Sequence, residues 1–169
     1  MPPSYREIER KFLVRQPPET AGVEPKLIEQ GYLVISAEPG RPPIEIRLRR
    51  TNRREAELTI KSKPAGQGRM EVEVPVDEGQ FDALWPLTAG QRIAKRRYPI
   101  PLPGGLLAEF DDYEEKLAGL KVVEVEFPDE ERARRFIPPA WFGREVSGDP
   151  AYSNARLATS AQGPAAGDT

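Results

Sequence analysis

Seven segments of the chain carry charged residues at i and i+2, and this period-two pattern limits the fold more than any other feature. Successive side chains of an extended strand point to opposite faces. In Ile44-Glu-Ile-Arg-Leu-Arg49, the residues Ile44, Ile46 and Leu48 share one face, and Glu45, Arg47 and Arg49 share the other. The same spacing groups Glu7, Glu9 and Lys11, then Lys61 with Lys63, Arg69 with Glu71 and Glu73, Lys95 with Arg97, Glu109 with Asp111, and Glu124 with Glu126. A helical period of 3.6 cannot carry this pattern. Antiparallel strands joined by short turns are expected, in an α+β, mainly β chain.

The connecting segments fit that expectation. Asn52-Arg-Arg reads as a tight turn, and Pro64 to Gly68 as a Gly/Pro-rich loop. Further strands are expected over 30–36, 89–101, 106–113 and 121–127, with Trp141 to Ser147 partly extended. Asp77 and Asp129 are placed to cap short helices running to about Trp85 and Phe136. Shorter helices are expected over Pro25 to Glu29, with proline in the first turn, and over Asp149 to Leu157. Phe81, Trp85, Trp141 and Phe142 are expected to be core or helix-docking residues. Residues 1–158 read as one domain and 159–169 as a disordered tail.

Composition narrows the chemistry. The 169 residues contain 25 Lys plus Arg and 27 Asp plus Glu, a net charge of −2, so bulk positive charge for coating nucleic acid is absent. The chain has neither cysteine nor histidine. Thiolate or imidazole metal sites and His-based triads are excluded, and a metal site has to be built from oxygen ligands, which suit Mg²⁺, Mn²⁺ or Ca²⁺. No apolar run reaches the length of a signal-peptide core or membrane span, so a cytoplasmic protein without membrane partners is expected. A homodimer is compatible with these features.

The charged faces have two readings. A solvated face is the ordinary one for an antiparallel sheet, yet it normally mixes Ser, Thr, Gln and Asn among its charges. These positions are almost purely ionic, and like charges adjacent on one face repel unless a counter-charge joins them. A polyvalent phosphate with divalent cations would supply that counter-charge, and a closed barrel would hold the charged face inside. In that arrangement Lys11, Arg47, Arg49, Lys61, Lys63, Lys95 and Arg97 surround phosphate oxygens. Glu7, Glu9, Glu109, Asp111, Glu124 and Glu126 offer carboxylates to one or two cations. Glu124 or Glu126 takes the proton of an attacking water, while a lysine or arginine meets leaving-group charge. Tyr32 is a candidate for hydrogen bonding substrate or orienting Lys61.

Glu7-Ile-Glu-Arg-Lys11 resembles the E-x-E-x-K motif of the CYTH superfamily, the triphosphate tunnel metalloenzymes, and Phe-Leu-Val follows it as in bacterial members. Gln30-Gly-Tyr-Leu33, Ile46-Arg-Leu-Arg49, Leu58-Thr-Ile-Lys61, Lys95-x-Arg97, Glu109-x-Asp111 and Glu124-Val-Glu126 succeed it in the family's order. The resemblance implies an eight-stranded antiparallel closed β-barrel, a tunnel with a charged interior and flanking helices, binding triphosphate and Mg²⁺ or Mn²⁺. It further implies a metal-dependent triphosphatase, with inorganic tripolyphosphate as the first candidate substrate. Thiamine triphosphatase and class IV adenylate cyclase activities are the enzymatic alternatives, and a non-catalytic polyphosphate or nucleotide binder is the third. Gly148-Asp-Pro-Ala-Tyr-Ser-Asn154 resembles the family's C-terminal motif, with Pro150 and Ala151 where basic residues are common.

Overall fold

Extended segments with alternating faces pair into one antiparallel sheet. The computed structural model describes residues 8–62 and 70–164. Its strands are β1 (Ile8–Val14), β2 (Lys26–Ser36), β3 (Ile44–Thr51), β4 (Glu55–Ser62), β5 (Met70–Val76), β6 (Arg92–Pro101), β7 (Leu107–Tyr113), β8 (Lys121–Phe127) and β9 (Phe142–Glu145). Three short helices accompany them: α1 (Glu78–Leu84), α2 (Glu130–Arg135) and α3 (Asn154–Thr159). No described helix is long and apolar enough to cross a membrane.

The strand order is β5-β4-β3-β2-β6-β7-β8-β1-β9. Among the described residues nine strands are present rather than the eight expected. The sheet is also not a closed barrel, because among the described residues no ladder joins its edge strands β5 and β9. It nevertheless curls far enough for side chains from β1 through β8 to line one cavity. Part of the wall comes from the stretch Ser147–Ala155, which follows β9 and is not a strand.

The two faces of β1 decide which side of the sheet is which. Phe12 and Val14 are buried in an apolar cluster with Phe110, Val123, Val125, Phe127 and Ala133 of α2. Glu9 and Lys11 point the other way, into the cavity. Arg10, on the apolar side, donates to both Glu145 carboxylate oxygens and to the backbone carbonyls of Ala133 and Phe136, tying β9 and the end of α2 to β1. A second cluster closes one end of the inner side. Leu13, Tyr32, Ile93, Tyr113 and Val122 pack there against Val146, Tyr152, Ala155, Leu157 and Ala158. Each fully buried aliphatic or aromatic side chain of these clusters contributes about 1.5–3 kcal/mol.

Asp77 accepts from the Gln80 backbone N–H while Gln80 reaches back to the Asp77 N–H, a complete capping box for α1. Asp129 caps α2 with a single bond, accepting from the Arg132 N–H. Asn52 and Arg53 both take positive φ in the β3–β4 turn, a conformation Asn adopts at low cost. The short helix expected over Pro25 to Glu29 is instead the start of β2. Those residues ladder with β6 on one side and β3 on the other, and two sets of inter-strand bonds outweigh one marginal helical turn. At the C-terminal end, Pro150–Tyr152 forms a 3-10 turn ahead of α3, and the tail expected from 159 starts inside that helix. Residues 165–169 lie outside the described residues.

Gly31 has a packing reason to be glycine. A Cβ built there would stand 2.5 Å from Thr88 Cβ and Oγ1, in the 3-10 turn that follows α1. Thr88 is itself fully buried and held by Trp85 and Arg92. Gly31→Ala is therefore expected to lower stability by about 1–3 kcal/mol. Urea unfolding measures this, and an unchanged midpoint would show that the turn lifts away without cost.

Candidate active site

The inward residues converge because register aligns their strands. Glu9 lies opposite Glu126 and Lys11 opposite Glu124 across β1 and β8. Gln30 lies opposite Arg49, and Tyr32 opposite Arg47, across β2 and β3. A shift between Tyr32 and Val34 keeps Tyr32 inward while pairing Val34 with outward Ile46. The cavity so formed has a volume of about 450 Å³. Of the residues singled out from sequence, Glu9, Lys11, Tyr32, Arg47, Arg49, Lys61, Arg97, Glu109, Glu124 and Glu126 all line it. Glu7 and Lys63 lie outside the described residues, as does Arg69.

Lys95 and Asp111 are placed differently from the expectation that they meet substrate and metal. Both side chains are fully buried and neither lines the cavity, with Lys95 Nζ 2.6 Å from Asp111 Oδ2. Arg97 covers them. Its Nε and Nη2 donate to the two Asp111 oxygens at 2.7 Å, Nη2 also reaches Glu124 Oε2 at 2.8 Å, and Nη1 donates to Glu109. Lys11 Nζ holds the other Glu124 oxygen at 2.7 Å, and Lys61 Nζ holds Glu71 at 2.8 Å. Arg97 is thus the hub that joins the buried Lys95–Asp111 pair to Glu109 and Glu124 of the cavity lining.

These neighbours set the protonation states. Burial would raise the Glu124 carboxyl, but Lys95, Lys11 and Arg97 together hold it well below the usual carboxylate range. Burial, reinforced by Arg97, brings Lys95 down to about 8 against the pull of Asp111. Burial pushes the Tyr32 phenol up to about 12, so it is neutral near pH 7. Arg49 is lowered by burial and by the positive charges of Arg47 and Arg97. Positive charge is therefore crowded on the β3 and β6 side, where a bound anion would relieve it. Arg47 adds a specific opening: its Nη2 donates to Thr59 Oγ1, while its buried Nε has no hydrogen-bond partner.

Three contributors to the cavity and its surroundings were not among the site residues expected from sequence. Glu45 lies on the same face as Arg47 and lines the cavity, but alternation alone gave it no role. Gln30 is fully buried and accepts from Arg49 Nε and Nη2 at 3.3 and 3.2 Å; its position two residues before Tyr32 was the available signal. Ser147–Ala155, including Asp149 and Asn154, lines the cavity from outside any strand, where a period of two has no meaning. Tyr113 Oη donates to Asn154 Oδ1 at 2.6 Å and anchors that stretch to β7.

The model of the CYTH domain family matches residues 5–146. The chain belongs to the CYTH domain family. Among CYTH relatives, the inorganic triphosphatase of Nitrosomonas europaea is 44% identical over 154 residues, covering 91% of this chain and 97% of the relative. The inorganic triphosphatase of Acetivibrio thermocellus is 34% identical over 153 residues, covering 90% and 92%. The crystal structure of the inorganic triphosphatase NE1496 superposes with a TM-score of 0.70 at 43% identity, covering 93% of this chain and 97% of that one. The family match ends at Val146, so the CYTH span supplies the sheet, and the segment that completes the cavity wall follows it.

Proposed function

We propose that this protein is a divalent-metal-dependent triphosphatase whose substrate is inorganic tripolyphosphate. The observation that carries the reading is the cavity itself. Basic side chains of β1, β3, β4 and β6 and carboxylates of β1, β3, β5, β7 and β8 line one space of about 450 Å³. Its only aromatic lining residue among the described residues is Tyr32, so no shelf for a nucleobase or thiazolium ring accompanies the phosphate-binding groups. Kinship with two inorganic triphosphatases at 44% and 34% identity supports the same substrate.

The donor set fits a hard cation in kind. Among the described residues no three carboxylates converge into a ready metal shell. Mg²⁺ does not need one, since it is commonly held by one or two carboxylates plus substrate phosphates and water. Glu9 and Glu126, paired across β1 and β8, would supply those carboxylates. Bound with substrate, the cation would screen phosphate charge and acidify a water. In this reading Glu109, Asp111 and Glu124 hold Arg97 and Lys11 in place through their ion pairs.

The chain's own groups then divide the work. Arg47, with its unpartnered Nε, and Arg49 and Lys61 take non-bridging oxygens. Glu126 accepts the proton of the attacking water, because Glu124 is too weak a base under three cations. The new bond joins water oxygen to the terminal phosphorus as the bridging P–O bond breaks. Pyrophosphate leaves with the bonding pair, its charge met by Lys61 and the arginines, and phosphate is the second product. The test is to offer tripolyphosphate, ATP and thiamine triphosphate with and without Mg²⁺ or Mn²⁺, measuring phosphate and cyclic AMP. Metal-dependent phosphate release from tripolyphosphate, well ahead of the other two, is expected. Cyclic AMP from ATP, or no turnover of any of the three, would overturn the reading.

A further inference from the structure

We infer that Gln30 is a positioning residue that fixes the direction of the Tyr32 hydroxyl, turning its proton into the cavity so that Tyr32 donates a hydrogen bond to a phosphate oxygen of the bound substrate. The inference rests on the triphosphatase reading and extends it to two side chains whose joint role is set by hydrogen-bond polarity.

A guanidinium has only donors. Arg49 presents Nε and Nη2 to Gln30, at 3.3 and 3.2 Å, so the amide oxygen must face it. Turning the amide over would set N–H against N–H in a site with no exposure to solvent. The amide nitrogen is thereby aimed at Tyr32, donating to its Oη at 3.2 Å. Tyr32 is 2% exposed and uses its oxygen as acceptor there. The phenol proton needs another partner, and among the described residues no protein acceptor takes it. Tyr32 lines the cavity opposite Arg47, the strand partner whose Nε also lacks a bond. An oxyanion in the cavity satisfies both donors at once. Polarity thus runs in one direction, from the Arg49 guanidinium through the Gln30 amide and the Tyr32 hydroxyl to the ligand.

Gln30→Glu tests this by reversing the polarity with almost no change of shape. A carboxylate accepts from Arg49 and from Tyr32, drawing the phenol proton away from the cavity. In the wild type, Tyr32→Phe is expected to lower kcat/KM for tripolyphosphate about 10- to 100-fold, the usual cost of one donor to a charged group. In the Gln30→Glu background, the same Tyr32→Phe change is expected to cost less than about twofold, because the bond is already gone. Gln30→Met, which removes the amide without replacing its polarity, should give an intermediate factor for Tyr32→Phe. It also keeps the test readable if the buried carboxylate prevents folding. A purely structural Gln30 would lower melting temperature and activity but leave the Tyr32→Phe factor unchanged in both backgrounds, and that result overturns the inference. The same cycle read as Kd for tripolyphosphate in EDTA separates the two claims. Failure of the wild type to hydrolyse tripolyphosphate would sink the triphosphatase reading, whereas an undiminished Tyr32→Phe factor in binding would sink only the role of Gln30.

Discussion

Glu126→Gln is expected to lower metal-dependent tripolyphosphate turnover by about 10²- to 10⁴-fold, the range for loss of a positioned general base, while changing metal-free tripolyphosphate binding by less than about threefold. The amide keeps the size of the side chain but cannot take a proton at neutral pH, and it is a weaker ligand for a hard cation. Arg49→Ala should do the reverse. Arg49 stands on the crowded basic side of the cavity, and removing one charge-assisted donor should weaken binding about 10- to 100-fold. Steady-state kinetics with calorimetric binding in EDTA separates the two. If Glu126→Gln bound tripolyphosphate far more weakly and turned over normally, the division of roles between β8 and β3 would be wrong.

Arg97→Met is expected to destabilise the fold by about 3–5 kcal/mol, the usual cost of removing one partner from a buried charge network. Arg97 bonds Asp111 twice and Glu124 and Glu109 once each. Without it, Asp111 retains Lys95 and Glu124 retains Lys11 as ion-pair partners. For a chain of this length the loss corresponds to a fall in Tm of about 6–20 °C. Arg97→Lys should recover only part of it, since one ammonium cannot span three carboxylates as a planar fork does.

The pH dependence follows from the direction of the Glu124 shift. Its folded pKa lies below the ordinary 4.5, so the folded state binds fewer protons than the unfolded state as pH drops below that value. The stabilisation is fully present above about pH 4.5 and is lost as pH falls through the folded value. Arg97→Met raises the folded pKa, so the gap in unfolding free energy between wild type and variant should be widest near neutral pH and narrow on acidification. A gap independent of pH would mean that Arg97 contributes packing rather than charge.

Much of this architecture could be read before any coordinates. Period-two alternation assigned Glu9, Arg47, Lys61, Arg97 and Glu126 to one face, and the sheet turns that face inward. What it could not give was depth. Lys95 and Arg97 share a face two residues apart, yet only Arg97 lines the cavity, because the Lys95 ammonium is fully buried against Asp111, which Arg97 also holds. Closure was overestimated for a similar reason. Alternation describes the faces of strands and says nothing about whether the edges meet, and here Ser147–Ala155 takes part of the wall without joining a ladder. Pro25 to Glu29 reads as a helix from sequence because proline in the first turn of a short amphipathic run suits a helix start, and only the pairing of residues 26–29 with β3 and β6 shows a strand.

Hydrolysis of a triphosphate with a divalent cation is proposed for one cavity, lined by basic side chains of β1, β3, β4 and β6 and by carboxylates of β1, β3, β5, β7 and β8. Phosphorus NMR of tripolyphosphate incubated with the protein in Mg²⁺, and in parallel in EDTA, tests it most directly. One phosphate and one pyrophosphate should appear for each tripolyphosphate lost, in Mg²⁺ only, with Glu126→Gln leaving the substrate signals essentially unchanged. Unchanged tripolyphosphate with the wild-type protein in Mg²⁺ and in Mn²⁺, or equal hydrolysis by Glu126→Gln, would contradict the account.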